Sequence, residues 1–213
     1  MTYPDYTRAE RIADGVIHVV GITASVIAVA ILLVIAVPTL EMSYSTALAI
    51  YGLTVVTLFS VSAAYHMISH AGSRAVLRKL DQAAIFLKIA GTYTPLVLMI
   101  GTAFSYAVLA FVWIAALLGA VGKVAFGHRL EGVSVGIFLV LGWASLTLAW
   151  PIFATLPIAV SLLILAGGVL YSIGVIFHVW EGLKYQNAIW HAFVLAASSC
   201  HFIAVTTGAF ALA

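Results

Sequence analysis

The sequence has very little charge. Only 8% of its 213 residues are Asp, Glu, Lys or Arg, whereas an ordinary soluble domain has about 25%. So few cations also exclude the basic footprint of a nucleic-acid-binding protein. Cysteine is nearly absent as well, because Cys200 is the single one and no intramolecular disulfide can form. Since 64% of the residues are hydrophobic, the main solvent of this chain is a lipid bilayer.

Hydropathy divides the chain into seven apolar segments. Each is about 20 residues long, the length that a helix needs to cross the hydrocarbon core. Short breaks with glycine, proline or charge separate them, and they leave no room for a separate soluble domain. The sequence therefore predicts one all-α domain, a seven-transmembrane-helix bundle over 1–213. Its helices are predicted at 16–37, 46–69, 80–101, 105–126, 131–150, 157–180 and 188–212.

The cations lie on one side of this predicted bundle. Successive loops alternate between the two sides, and the side of the amino terminus holds every Lys and Arg except Lys88. By the positive-inside rule, the amino terminus is cytoplasmic and the carboxyl terminus lies outside. We therefore expect a multi-pass protein of the inner membrane. The cations on the inner side are Arg8, Arg11, Arg74, Arg78, Lys79, Lys123, Arg129 and Lys184.

Ionisable side chains inside a membrane are costly, so each one is a candidate for function. Most of the histidines map to the inner helix ends or inner loops, together with three carboxylates. This set is His18, His66, His70, His128, His178, His191, Asp14, Asp81 and Glu181. The members at helix ends that can converge are His66, Asp81, His178 and His191. A carboxylate and imidazoles at one depth are typical of a zinc site that is open to water. Zinc lowers the pKa of such a water to about 7, so the cluster predicts a hydrolase centre.

Spacing along the helices narrows the candidates. Ser62 and His66 are four residues apart and share a face, so the hydroxyl is predicted to orient the imidazole. His70 is also four residues from His66, but it borders a loop and is expected to be solvated. His191 and His201 lie about 15 Å apart along a helix, too far to bind one ion. We expect His201 to form a hydrogen bond inside the bundle.

Lys88 is the one cation predicted inside a span. It follows Asp81 by seven residues on nearly the same helix face, which allows an ion pair or a snorkelling amine. We favour a structural ion pair. The seventh helix contains no lysine, so a retinal Schiff base has no attachment point there.

The motifs together resemble the bacterial haemolysin III proteins, members of the progestin and adipoQ receptor superfamily. The resemblance runs from Glu10 and His18 through the seventh helix. The segments that carry it are Ser62-Ala-Ala-Tyr-His66, Leu80-Asp81, Ala90-Gly-Thr-Tyr-Thr-Pro95, Ile189-Trp-His191-Ala-Phe-Val and Cys200-His201-Phe. It implies a seven-helix bundle with zinc near the cytoplasmic face, bound by His66 and His191, with Asp81 holding the water.

The sequence departs from that family pattern at Asn187. The resemblance implies a His-x-x-x-His pair in the seventh helix, but this chain has Asn187 four residues before His191. A neutral amide is a poor zinc ligand. Two replacements stay open: Asp81 coordinates directly, or His178 moves in from the sixth helix.

Three functions are compatible with these residues. The leading hypothesis is a zinc-dependent membrane hydrolase of a lipid amide or ester, with Asp81 as ligand or general base and membrane lipids as environment and substrate. A pore or channel is the second hypothesis, although the outer half of the predicted bundle offers no charged ring. The third is a receptor-like sensor of membrane state in which zinc is purely structural.

Overall fold

The computed structural model describes residues 6–68, 70–126, 131–180 and 182–212, and in these ranges it contains helices and no strand. The helices are α1 (Arg8–Thr39), α2 (Met42–Met67), α3 (Ala71–Ile100), α4 (Ala103–Phe126), α5 (Glu131–Trp143), α6 (Ala149–Thr155), α7 (Ile158–Val179) and α8 (Gln186–Leu212). A 3₁₀ turn, Ala144–Leu148, joins α5 to α6, and the three together form one span. Seven segments of the described chain are therefore long and apolar enough to cross a membrane, which confirms the predicted fold class.

Several helices begin before the apolar segments from which they were predicted. Helix α1 begins at Arg8 instead of residue 16, because Thr7 and Glu10 form a capping box: the Glu10 amide donates to Thr7 Oγ1, and the Thr7 amide donates to Glu10 Oε2 at 2.9 Å. Helix α3 begins at Ala71 instead of residue 80. Hydropathy marks the part of a helix that lies in hydrocarbon, and both helices extend beyond it with polar residues.

The fifth span is broken in its middle and does not end at residue 150. Pro151 has no N–H to donate to the carbonyl of Thr147, and this is where the 3₁₀ turn replaces the α-helix. Pro151 then lies in the first turn of α6, a position that needs no such bond, so the span continues to Thr155. Tyr93 Oη donates to the carbonyl oxygens of Leu141 and Gly142, at 3.0 and 2.9 Å. The Tyr93 hydroxyl therefore satisfies carbonyls that the break exposes.

Helix α3 lies at the centre of the bundle. It contacts α2, α4 and α8, while α1 packs on α2 and α8, and α7 packs on α8. Its neighbours cover most of the apolar surface of α3, whereas α1, α4 and α7 present large hydrophobic side chains outward. This outward apolar face is the surface that a bilayer would cover.

The polar helix ends meet at one end of the bundle. Glu10 Oε1 accepts a hydrogen bond from the Tyr185 amide at 2.9 Å, which joins the start of α1 to the loop before α8. Lys79 Nζ donates to the Val124 carbonyl at 3.0 Å, which joins the start of α3 to the end of α4. The cations of the described loops therefore lie at one end of the bundle, as the alternation of successive loops predicts. Arg129 lies outside the described residues. That this end faces the cytoplasm stays a prediction.

Candidate metal centre

Three imidazoles converge at this polar end, one from each of three helices. They belong to His18 of α1, His66 of α2 and His191 of α8. One nitrogen of each ring lies within 4.8 Å of the other two, and in the described parts of the chain no other group of potential metal ligands is this close. The His191 ring meets the His18 and His66 rings edge to face, with centroids 4.3 and 4.6 Å apart. We call these three residues, with Asp14, the trihistidine centre.

Asp14 orients the three rings. His191 Nδ1 donates to Asp14 Oδ1 at 2.6 Å, and His18 Nδ1 donates to the Asp14 backbone carbonyl at 2.8 Å. His66 Nδ1 lies 3.5 Å from Asp14 Oδ2. Because carbonyl and carboxylate oxygens only accept, the Nδ1 atoms of His18 and His191 carry the ring protons. In the neutral rings, the Nε2 atoms therefore keep the lone pairs that a metal needs.

The sequence of α1 explains why this side of the centre is buried. The buried residues of α1 recur at three- and four-residue intervals: Asp14, His18, Gly21, Ser25, Val29, Leu32 and Ala36. Asp14 and His18 are only 5% and 3% exposed. Gly21, one turn beyond His18, lets α1 approach α2 closely, since a Cβ at this position would lie 2.8 Å from the Phe59 ring. This close approach brings the His18 side chain toward His66.

The donor set fits a divalent transition metal. Imidazole nitrogens suit zinc, and zinc-binding histidines usually donate their other ring N–H to a carboxylate or a backbone carbonyl. Asp14 supplies both of these acceptors. Three protein ligands are also the number that leaves a fourth zinc position open. The trihistidine centre could therefore hold a metal ion.

Ser62 and Asp81, predicted to take part in catalysis, lie beside the trihistidine centre. Ser62 Oγ is 3.4 Å from His18 Nε2 and within hydrogen-bonding reach of the Asp81 carboxylate. Asp81 also lies near enough to His191 and Asp14 for their charges to interact. Its oxygens do not belong to the group of mutually close ligand atoms, so metal binding by Asp81 remains a prediction. The hydroxyl that we predicted to orient His66 lies between Asp81 and His18.

His178 and His70 are placed farther out. His178 is exposed on α7 and is not part of the trihistidine centre. Its ring is tilted against that of Trp190, with centroids 4.9 Å apart. His70 is the exposed residue that precedes α3. His128 and Glu181 lie outside the described residues.

The structure supplies a third imidazole that we did not assign to the metal. His18 belongs to the predicted group of inner-end histidines, but it was not among the predicted metal ligands. Asn187, at the place of the expected histidine, is half-buried and forms a side-chain hydrogen bond with Tyr6. One signal could have found the missed residues, because Asp14 and His18 are four apart and share a face of the first helix.

A large cavity begins at the trihistidine centre and runs into the bundle. It has a volume of about 1740 Å³, well above the roughly 300–1,000 Å³ of an ordinary small-molecule pocket. Its walls come mainly from α3, the fifth span, α7 and α8. Polar side chains are concentrated at one end, among them His66, Asp81 and His191. The rest of the lining is mainly apolar, but it includes Lys88 and His201.

Lys88 lies in this cavity but does not pair with Asp81. Among the described residues no carboxylate is within ion-pair distance of Lys88, so the predicted pair is wrong. Seven residues of helix separate the two Cα atoms by about 10 Å, more than these side chains span here. Lys88 Nζ instead lies 3.5 Å from His201 Nδ1. His201 Nε2 donates to the Ile164 carbonyl at 3.2 Å, which confirms its predicted hydrogen bond inside the bundle.

Comparison with known proteins agrees with the motifs. The family model described as Haemolysin-III related matches residues 6–202. The chain is 35% identical over 202 residues to a hemolysin-3 homolog of Bacillus subtilis (strain 168), with 94% of each chain covered. It is 35% identical over 197 residues to hemolysin-3 of Bacillus cereus, which covers 92% of this chain and 90% of that one. A more distant relative, the human monocyte to macrophage differentiation factor, is 27% identical over 164 residues, 73% of this chain and 67% of that protein. The chain is therefore a multi-pass membrane protein that belongs to the haemolysin III family.

Proposed function

We propose that this protein is a zinc-dependent hydrolase that cleaves an amide or ester bond of a membrane lipid. The observation that carries the proposal is the position of the trihistidine centre, which lies at the polar end of a cavity whose remaining lining is mainly apolar. The cavity can take a lipid chain, and its polar end offers metal ligands and a carboxylate together. His18, His66 and His191 would hold the zinc ion.

Asp14 keeps two of the three imidazoles, those of His18 and His191, in the form that binds a cation. Its carboxylate and its carbonyl accept the Nδ1 protons of His191 and His18, so each ring presents its other nitrogen unprotonated. The buried carboxylate also adds a negative charge that favours a divalent cation nearby. A zinc ion bound there would supply a Lewis acid and lower the pKa of a water molecule to about 7.

Asp81 is the proposed general base. It lines the cavity beside His66 and His191, and Ser62 restrains its carboxylate. As water adds to the lipid carbonyl carbon, Asp81 takes the proton from the water. When the carbon–nitrogen or carbon–oxygen bond breaks, it returns this proton to the departing amine or alkoxide. The products are a fatty carboxylate and an amine or alcohol.

The substrate is proposed to enter sideways from the inner leaflet. The cavity is lined on one side by Leu139 and Phe153 of the fifth span, and on the other by Leu165 and Val175 of α7. These apolar walls suit an acyl chain, and the polar end of the bundle would lie near lipid head groups. The linkage to be cleaved would then meet the trihistidine centre at head-group depth.

A receptor-like sensor with a structural metal is the second candidate. It is favoured by the way in which Asp14 connects α1 to α2 and α8 through its histidine partners. In such a protein, removing the metal would loosen the bundle and no chemistry would be lost. The names of the Bacillus relatives suggest a pore as well. A pore finds less support, because the outer part of the described cavity lining carries no charged side chain.

The deciding experiment measures lipid turnover by the purified protein. A panel of ceramides, acyl esters and phospholipids is incubated in neutral detergent, with and without a zinc chelator, and released fatty acid is quantified by mass spectrometry. We expect turnover of at least one class, its loss on chelation, and its return with added zinc. Absence of turnover from zinc-loaded protein across the panel, together with unfolding on chelation, would favour the sensor. Single-channel recording in planar bilayers tests the pore.

A further inference from the structure

Lys88 is a buried cation that has no carboxylate partner in the part of the chain that the structure describes. Its side chain is 4% exposed in the middle of α3, and it lines the cavity about 10 Å along the helix from Asp81. The buried carboxylate of Asp14 lies near histidines instead. Taking an ammonium group out of water without a counter-ion costs several kcal/mol. A negatively charged group beside Lys88 would therefore be stabilising.

The groups around Lys88 leave part of its ammonium group free. His201 Nε2 donates to the Ile164 carbonyl, so His201 Nδ1 is an acceptor for one Lys88 N–H. Lys88 Nζ also lies 4.4 Å from the centroid of the Tyr171 ring, a cation–π contact. An ammonium group has three donors, and these two partners do not use them all. At least one N–H is left for a ligand in the cavity.

Neighbouring residues hold both partners of Lys88 in place. The Tyr171 hydroxyl and Ser198 Oγ are hydrogen-bonded at 2.6 Å, which anchors the Tyr171 ring. The His201 ring lies directly against the backbone of Gly167, where any Cβ would collide with its Cδ2 and Nε2 atoms. The position of His201 thus depends on a missing side chain on the facing helix. We call Lys88, Tyr171 and His201 the Lys88 site.

We propose that the Lys88 site binds the anionic head group of a single-chain lipid. The chain of the ligand would lie in the cavity beyond Lys88, toward the end of the bundle opposite the trihistidine centre. The lining there is mainly apolar and includes Leu96, Ile152 and Phe153. A carboxylate or phosphate group would neutralise the buried ammonium, and its alkyl chain would replace water along the apolar walls. The inference does not depend on catalysis at the trihistidine centre.

The test compares three ligands that share one alkyl chain. Palmitate, hexadecyl phosphate and hexadecanol are titrated against the purified full-length protein in neutral detergent, and bound ligand is counted by equilibrium dialysis with radiolabel. We expect at least about tenfold tighter binding of an anion than of the alcohol, which is the difference that one charge-assisted hydrogen bond gives. Preference for palmitate assigns a carboxylate head, and preference for hexadecyl phosphate assigns a phosphate head.

Variants locate the binding. Lys88→Met should remove the preference for the anion, whereas Lys184→Met, with the same charge change at an exposed position, should keep it. Equal affinity of wild type for anion and alcohol overturns the proposal, and so does an unchanged preference in Lys88→Met. Binding that a chelator removes and Lys88→Met leaves intact would place the anion at the trihistidine centre and overturn it too. If Lys88→Met does not fold, Lys88→Arg and the wild-type comparison still decide the outcome.

Discussion

The trihistidine centre and the Lys88 site each contain a buried ionisable group, and the two groups, Asp14 and Lys88, differ in the sign of their charge. Both place ionisable groups inside a membrane protein, at two depths of one cavity. In the first, the buried Asp14 has three imidazole neighbours, and the ring nitrogens that do not face it keep lone pairs. In the second, the buried Lys88 has an imidazole lone pair and a ring face, and no carboxylate among the described residues.

This difference indicates what each region would accept. Lone pairs that converge beside a carboxylate favour a cation, whereas an ammonium group with an unused N–H favours an anion. Asp81 and Lys88 are about 10 Å apart along α3, so one extended lipid could reach both sites. Substitutions at either site test this difference.

Replacing His18 should remove the metal, whereas replacing His178 should not. His18 lies in the trihistidine centre, and His178 is exposed on α7 outside it. Loss of one of three imidazole ligands leaves too few donors for tight zinc binding. We expect wild type and His178→Ala to carry about one zinc per chain by elemental analysis, and His18→Ala and His191→Ala to carry little. Full zinc in His18→Ala with loss in His178→Ala would restore the ligand set that the sequence suggested.

Replacing Asp81 should separate metal binding from chemistry. Asp81→Asn keeps the shape of the side chain but cannot take a proton. On a lipid that wild type hydrolyses, we expect kcat to fall by about 10²–10⁴ with zinc content unchanged, the usual range for a lost general base. The matched control is Gln82→Glu, since Gln82 also lines the cavity on α3. Loss of zinc from Asp81→Asn would show that Asp81 serves as a ligand instead.

Replacing Asp14 should weaken the metal without removing a direct ligand. Asp14→Asn removes the negative charge and replaces one of the two side-chain acceptor oxygens by an NH₂ donor, while the backbone carbonyl that His18 uses stays in place. Loss of such a partner typically costs about 10–100-fold in metal affinity. Competition with a fluorescent zinc chelator measures this change. An affinity equal to that of wild type would mean that packing alone orients the rings.

Much of the fold follows from the sequence, because lipid imposes a simple rule. The backbone N–H and C=O groups of every span must be hydrogen-bonded within the span, so the length of an apolar segment predicts a helix. The charge of the loops predicts which helix ends lie on the same side. Helix ends were the weak point: the capping box at Thr7 and Glu10 extends α1 into polar sequence. The predicted fifth helix ends just before Pro151, whereas in the structure Pro151 lies in the first turn of α6, which continues the span.

The site was harder to predict, since ligation depends on how each helix is rotated. Sequence places several histidines at one depth but does not tell which of them face one another. His18 faces His66 because Gly21 lets α1 approach Phe59 of α2 closely. Lys88 and Asp81 share a helix face, yet their axial separation and the ring of Tyr171 decide where the amine lies. Such contacts between distant parts of the chain leave no local pattern.

Substituting Gly167 should have the smallest effect, and it tests whether the position of His201 matters for anion binding at the Lys88 site. In Gly167→Ala the new methyl group would collide with the His201 ring, so His201 must move from its contact with Lys88. Overpacking of this kind costs about 1–3 kcal/mol of stability, and we expect the preference for an anionic ligand to fall while zinc content stays unchanged. Gly168→Ala is the matched control, because a Cβ there would meet the Trp143 ring at an ordinary 3.6 Å. Thermal unfolding and the palmitate-to-hexadecanol affinity ratio should therefore change in the first variant and not in the second. If both variants keep the wild-type ratio although Gly167→Ala is destabilised, the position of His201 does not matter for the anion, and Lys88 with Tyr171 would suffice.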